Sequence, residues 1–499
     1  MKSASVVARR IADGIQSELF AGRIRIDNGV ISAVEKGDFL PEAGEIFIDE
    51  NKVLAPAFID AHGHSDISLM AMPQAEGKVF QGIAYEISGN CGLSPFPLTA
   101  RNREHLQKLY REYGITLDWS DISTYLQKLR SLAPKLELFP LVGHNTLRAA
   151  VAGYEKKKLD KYELAEMFAL LDRELAAGAS GLSFGLLYTP GCFADHEEIS
   201  GLMKVVAKHQ KICTVHLKSE GNDLENALLT MLDAARAAGL KKLHLSHLKT
   251  AGKQNFHKLP VILDALTSSD IRVTGDIYCY DAGMSQLSII LPAPYDEYDD
   301  ITISRLLADD KTFEKVLQQV DCDRQLDYWR NIRIISAAGA YKQYEQLLMH
   351  EAAEQACLPP SRLFLEILRC DSAAARAAFH TLSRENMRLL AGHKSVVPGS
   401  DESARNRTFA FGSSHPRGFG NHAEYFNLRR SQNAAIGEII SEMSMNIAAI
   451  FNIPGIGAIN CGNRAVFAVI DPEFYRAQST FMNPHQLCRG AEILNLQEV

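Results

Sequence analysis

Short apolar runs recur through the middle of this chain. Each is followed by a polar loop, and usually by an amphipathic helix. That alternation restricts the fold more than any single motif does. The runs fall at residues 53–59, 83–88, 136–142, 181–184, 212–215, 243–246, 273–277 and 395–397. Helical patterns at 161–177, 195–209 and 222–238 lie between them, with Asp195 placed to cap one and Gly239 to stop another. Eight strands alternating with helices predict an α/β fold of the (β/α)8 TIM-barrel type. The gap between the seventh and eighth strands is too long for one crossover. Its first part is tyrosine-rich and acidic (Tyr295, Glu297, Tyr298, Asp299, Asp300), which reads as an insertion at about 285–390 covering the functional face.

The two ends of the chain have a different texture. Residues 23–26 and 30–34 alternate around Asp27-Asn28-Gly29, a strong hairpin signal. Residues 465–470 form an apolar run closed by Asp471-Pro472. This organisation predicts a small β-sandwich built from 1–54 and 446–499, flanking a barrel over 55–445. With 46% hydrophobic and 23% charged residues among 499, the chain reads as a soluble globular enzyme. A formal charge of −7 disfavours nucleic acid as a partner. The lack of a long apolar stretch disfavours a membrane. Arg9 and Arg10 stand where a signal peptide needs apolar residues. Nine cysteines without C-x-x-C spacing point to a reducing, cytoplasmic setting.

Barrels of this type carry their chemistry at the carboxyl ends of the strands. Those ends hold His62 and His64, Cys91, His144, His216, His247 and Asp401. His62 and His64 sit at i and i+2, so an extended backbone points both to one side. His216 and His247 end consecutive strands, about 4.8 Å apart, and can share one ion. Cys91, between glycines in Gly89-Asn90-Cys91-Gly92, offers a thiolate suited to zinc. Asp401 can take a proton from water beside a metal, or cap the following segment. His144 reads as a rim residue of the pocket, outside the metal set.

In this order the residues resemble the amidohydrolase superfamily, and locally its D-aminoacylase (N-acyl-D-amino-acid deacylase) branch. Ala55-Pro56-Ala57-Phe58-Ile59-Asp60-Ala61-His62-Gly63-His64 and Gly89-Asn90-Cys91-Gly92 carry the likeness. So do Ser246-His247-x-Lys249, Asp276-x-Tyr278-x-Tyr280, Gly399-Ser400-Asp401 and His415-Pro416-Arg417. The resemblance implies zinc-dependent hydrolysis of N-acyl-D-amino acids. It implies one ion held tightly by Cys91, His216 and His247, and a weaker, sometimes empty position at His62, His64 and Asp401. Asp401 would be the general base and acid, and Lys249, Tyr278 and Arg417 would bind the substrate α-carboxylate. Met284 stands where the branch often has serine, which implies an apolar surface beside the substrate. The alternatives are a cyclic-amide amidohydrolase of the dihydroorotase or hydantoinase kind, and a non-catalytic binding protein on the same barrel. A small N-acyl amino acid is the expected partner, and homo-oligomerisation stays open.

Overall fold

The computed structural model describes residues 3–324, 326–370 and 375–498. Both ends of the chain meet in one seven-stranded sheet, drawn from residues 3–56 and from Val466–Ile470 and Ala491–Asn495. The hairpin forms as its sequence dictates: Phe20–Asp27 pairs antiparallel with Val30–Lys36. Asn28 and Gly29 take φ of 51° and 77°, the left-handed conformations that a type I′ turn requires. Val466–Ile470 is the seam, pairing with Val53–Pro56 on one side and Ala491–Asn495 on the other. Ile24, Ile26, Leu54, Phe467 and Val469 bury one face as a local core.

The run 53–59, read from sequence as one strand, is divided at Ala57. The Ala57 N–H donates to Val466 O at 3.1 Å, whereas the Phe58 N–H donates to Gly82 O at 2.9 Å. The two halves satisfy their backbone groups in different sheets, so the chain changes sheet there. From Phe58 onward the strands are parallel. Phe58–Asp60, Ile83–Ser88 and Glu137–Pro140 pair in that order. A second ladder runs through Val142–Gly143, Gly181–Gly185, Ile212–His216, Lys242–Leu245, Arg272–Ile277 and Val396–Pro398. Only Leu141 separates Glu137–Pro140 from Val142–Gly143, so they act as one third strand. Backbone bonds also join the first strand to the last: Ala61 N to Pro398 O at 3.2 Å, and His64 N to Glu402 O at 3.1 Å.

Helices return the chain between these strands, starting where their caps predict. Asp160 accepts from the N–H groups of Tyr162 and Glu163 at the start of Lys161–Ala176. Asp195 accepts from Glu198 N at 3.0 Å before His196–Lys208. Gly239, with φ of 68°, ends the run of Leu224–Ala237. Met445–Phe451 packs Ile447, Ile450 and Phe451 among Ile59, Ile87 and Val397 of the parallel strands and Val466 of the terminal sheet.

After the seventh parallel strand the chain builds a separate unit. Gly283–Gln286, Arg376–Phe379 and Ile332–Ser336 form an antiparallel sheet, backed by helices around Phe313, Trp329, Phe364 and Leu368. Helix Arg384–Ala391 rejoins the main core through Leu390 and Ala391. The unit reaches across to loops that follow the second, third and fourth strands. Arg376 lies 3.5 Å from Glu112, Lys156 pairs with Glu297, and Thr189 Oγ1 donates to Glu297 O at 2.8 Å. Among the described residues, no helix is long and apolar enough to cross a membrane.

Candidate metal centre

The six residues singled out as metal ligands converge at the carboxyl ends of the parallel strands. Their ligand atoms make two overlapping groups, one of Cys91, His216 and His247, the other of His62, His64, Cys91 and Asp401, each within 4.8 Å. Cys91 Sγ is the shared atom, 3.4 Å from both His62 Nε2 and His247 Nε2. His247 Nε2 lies 2.9 Å from His216 Nδ1. Asp401 Oδ1 lies 3.2 Å from His64 Nε2 and 3.6 Å from His62 Nε2.

The backbone holds three of these residues in an unusual conformation. Cys91, His247 and Asp401 have φ of 53°, 37° and 51°. For a non-glycine residue that costs of the order of 1–3 kcal/mol and persists only where the surroundings enforce it. Here they do. Asp401 N–H donates to His62 O at 2.7 Å, and His247 N–H donates to Asp276 Oδ1 at 2.9 Å. Around Cys91, Gly89 and Gly92 also hold positive φ, and a Cβ on Gly92 would lie 2.4 Å from Asn145 Oδ1. The Gly-Asn-Cys-Gly spelling is thus what a left-handed, tightly packed turn demands.

Electrostatics favour the ionised thiolate and carboxylate, while the same contacts raise the pKa of the His62, His64 and His247 rings, so a metal that binds here displaces imidazole protons. Burial would push the Cys91 thiol up. The His62 and His247 rings, with hydrogen bonds from His216 and His247, outweigh it and hold Cys91 well below the usual thiol range. Asp401 is likewise opposed by burial. Arg417, whose guanidinium lies 2.9 Å away, and His247 keep it well below the ordinary carboxylate range. Thiolate, imidazole and carboxylate at these separations form a donor set that fits zinc.

Two carboxylates behind the ligands carry orientation that the sequence reading did not assign. Asp276 Oδ2 lies 3.1 Å from His62 Nδ1 and 3.0 Å from His244 Nε2, while its other oxygen holds the strained His247 backbone. Glu220 Oε1 is 2.9 Å from both His247 Nδ1 and Lys249 Nζ. Burial opposes its charge, but Lys249 and His247 hold its carboxyl down at about 2. Each carboxylate occupies one nitrogen of a histidine and leaves Nε2 for the site. Asp276 stands in the Asp276-x-Tyr278 motif and Glu220 just past the fifth strand, but a lone acid at a strand end does not declare its partner. Replacing Asp276 with alanine is expected to weaken metal affinity about 10–100-fold. Competition against a chromophoric chelator measures this, and an unchanged affinity would reduce Asp276 to packing.

Lys249, Tyr278 and Arg417 lie beside the same centre. Arg417 Cζ sits 4.5 Å from the Tyr278 ring centroid and Lys249 Nζ 5.6 Å from it. The buried Tyr278 hydroxyl and the Arg417 Nε have no hydrogen-bond partner among the described residues, leaving donors for a ligand to satisfy. These residues and the metal candidates, except the fully buried His62, line one cavity of about 680 Å³. Met284 also lines it, and the adjoining Ser285 Oγ lies 3.3 Å from the Tyr188 hydroxyl. Asp296, Tyr298, Asp299 and Asp300 of the added unit form part of its wall. His144 does not reach it. That ring is fully buried, 2.7 Å from Glu198, which also binds Arg148. It ties two helices together, and the rim position read from sequence is withdrawn.

Parallel strands with helical returns, and this donor set at their carboxyl ends, agree with the resemblance to amidohydrolases seen in the sequence. No family model matches the chain. It is 33% identical over 258 residues to an N-acyl-D-glutamate deacylase of Alcaligenes xylosoxydans xylosoxydans, covering 51% of each chain. It is 32% identical over 272 residues to a D-aminoacylase of the same organism, covering 53% of this chain and 55% of the relative. The aligned part thus spans about half the length of these curated relatives. The fold matches that of an N-acyl-D-glutamate deacylase from Bordetella bronchiseptica, solved with zinc and a phosphonate inhibitor. The TM-score is 0.81 at 22% identity, over 99% of this chain and 95% of that one. The chain is thus similar over part of its sequence to curated D-amino-acid deacylases, and in fold to a solved one.

Proposed function

We propose that this protein is a zinc-dependent hydrolase of N-acyl-D-amino acids, built on a (β/α)8 barrel with a β-sandwich from the two termini. The backbone bonds between the first and last parallel strands support the closed barrel. One observation carries the functional reading: five of the six candidate ligands and the Lys249–Tyr278–Arg417 cluster line one cavity. An N-acyl amino acid presents an amide and an α-carboxylate a short distance apart, which matches those two features.

Cys91, His216 and His247 would hold the tighter zinc, and His62, His64 and Asp401 a weaker second position. When bound, zinc supplies Lewis acidity towards the amide carbonyl and a water molecule. The chain's own groups do the rest. Arg417 and Lys249, with the free Tyr278 hydroxyl, bind the α-carboxylate, a planar anion that suits a guanidinium fork. Asp401 takes a proton from the attacking water and returns it to the leaving nitrogen. Arg417 binds Asp401 through its side chain and, at 2.5 Å, through its backbone carbonyl. The substrate anion and the proton carrier are therefore fixed relative to each other, which supplies the positioning that catalysis needs.

The names of the curated relatives support the D configuration. The decisive measurement is kcat/KM for N-acetyl-D-leucine against N-acetyl-L-leucine on zinc-analysed protein. We expect at least a roughly tenfold preference for the D compound, about 1.4 kcal/mol. A similar preference for the L compound would overturn the assignment.

A further inference from the structure

The cavity is much larger than an N-acetylated small amino acid requires. At about 680 Å³ it lies within the roughly 300–1,000 Å³ that encloses drug-sized ligands, and its wall is more apolar than polar. Met284 and Leu382 lie beside the carboxylate cluster, but a second apolar stretch of the wall comes from other strands. Lys249, Tyr278 and Arg417 follow the sixth, seventh and eighth parallel strands. Leu109, Tyr110 and Tyr154 follow the second and third strands, and Ile289 and Tyr298 of the added unit line the same cavity. Two of these side chains are exposed to an extent that core packing does not explain, Leu109 at 36% and Tyr298 at 42%.

Most charged groups on this side are engaged, although Asp66, beside Tyr110, has one buried oxygen without a hydrogen-bond partner among the described residues. Glu112 pairs with Arg376 at 3.5 Å. Asp299 accepts from the N–H groups of Ile301 and Thr302, and Asp300 accepts from Gln286 at 2.8 Å. His105 stacks on Tyr154 with ring centroids 3.7 Å apart, and burial lowers its pKa, so it presents a neutral aromatic face. Apart from Asp66 and Asp296, what this side offers a ligand is mostly apolar and aromatic surface.

We infer that the acyl group of the substrate is a large apolar one, a chain of medium length or longer. It lies between the segment around Leu109 and the added unit. The inference rests on the deacylase reading, because the carboxylate cluster on one side of the metal centre directs the acyl group to the other. Burying methylenes of such a chain gives binding energy remote from the reacting bond.

The test compares three compounds on the zinc-loaded full chain. These are N-acetyl-D-alanine, N-octanoyl-D-alanine and N-acetyl-D-2-aminodecanoic acid, which carries the long chain on the amino-acid side. We expect kcat/KM for the octanoyl compound to exceed that of the acetyl compound at least about tenfold, with no comparable gain for the aminodecanoate. Leu109→Asp and, from the facing wall, Tyr298→Ser should each lower the octanoyl-to-acetyl ratio at least about fivefold. Leu109 is partly exposed on a short helix, so a folded variant is expected, and Tyr298→Ser provides an independent reading. Hydrolysis of the acetyl compound with no octanoyl gain would overturn this inference and leave the deacylase reading standing. A gain confined to the aminodecanoate would assign the apolar wall to the side chain and equally overturn it. An octanoyl gain that neither variant reduces would also overturn it, since the chain would lie elsewhere. Failure to hydrolyse any of the three would overturn the deacylase reading itself.

Discussion

Cys91→Ala is expected to lose its tightly held zinc while remaining folded. Cys91 Sγ belongs to both ligand groups, 3.4 Å from a histidine of each, so its removal dismantles the two positions together. Affinity should fall by more than the roughly 100-fold upper range seen when only an outer hydrogen-bond partner of a ligand is lost. Hydrolysis should fall with it. The fold should survive because alanine keeps the Cβ that Cys91 already carries at a φ of 53°. The turn strain is unchanged and only a small, buried sulfur is lost. Metal analysis of the purified variant, beside its circular dichroism spectrum, decides the matter. Full zinc occupancy in folded Cys91→Ala would show that the thiolate is not a ligand.

Asp401→Asn is the second large effect. The amide keeps the size of the side chain but cannot accept a proton, and loss of general acid–base assistance should lower kcat about 10²–10⁴-fold. A second consequence follows from Arg417, which is almost wholly buried and 2.9 Å from the Asp401 carboxylate. Removing that negative charge leaves the guanidinium uncompensated, and breaking such a buried pair costs about 3–5 kcal/mol. The variant should therefore melt at lower temperature as well as turn over slowly. The two effects separate in an assay well below its melting point. If kcat of the folded variant stays within about threefold of the unmodified protein there, far short of the range for a lost acid–base group, Asp401 has a structural role only.

The added unit shows how far periodicity reads and where it stops. Its existence follows from the distance between the seventh and eighth apolar runs. Its own antiparallel sheet and core were not legible, because each strand is only four or five residues long and pairs across large sequence separations. The break at Ala57 was hidden for a related reason. Residues 53–59 are uniformly buried, and periodicity cannot tell which sheet will receive each backbone N–H.

The sequence by itself determined the alternation of strands and helices, the Asn28-Gly29 hairpin, and the residue types at the strand ends. Those features rest on local rules: apolar period, turn chemistry, helix capping, and the need of a tight turn for Gly89 and Gly92. It also named the six residues whose atoms meet at the centre, since strand ends in an alternating α/β chain share one face. Only the tertiary structure decided which carboxylate serves which histidine. Asp276 reaches His62 across more than two hundred residues of chain, and its second oxygen holds the backbone of His247. It also decided that His144 faces Glu198 within the core and not the cavity. Hydrogen bonds of that kind depend on the register of distant strands and on which face a helix turns inward. Global packing sets both, because a buried polar group takes whichever partner the assembled core brings within reach.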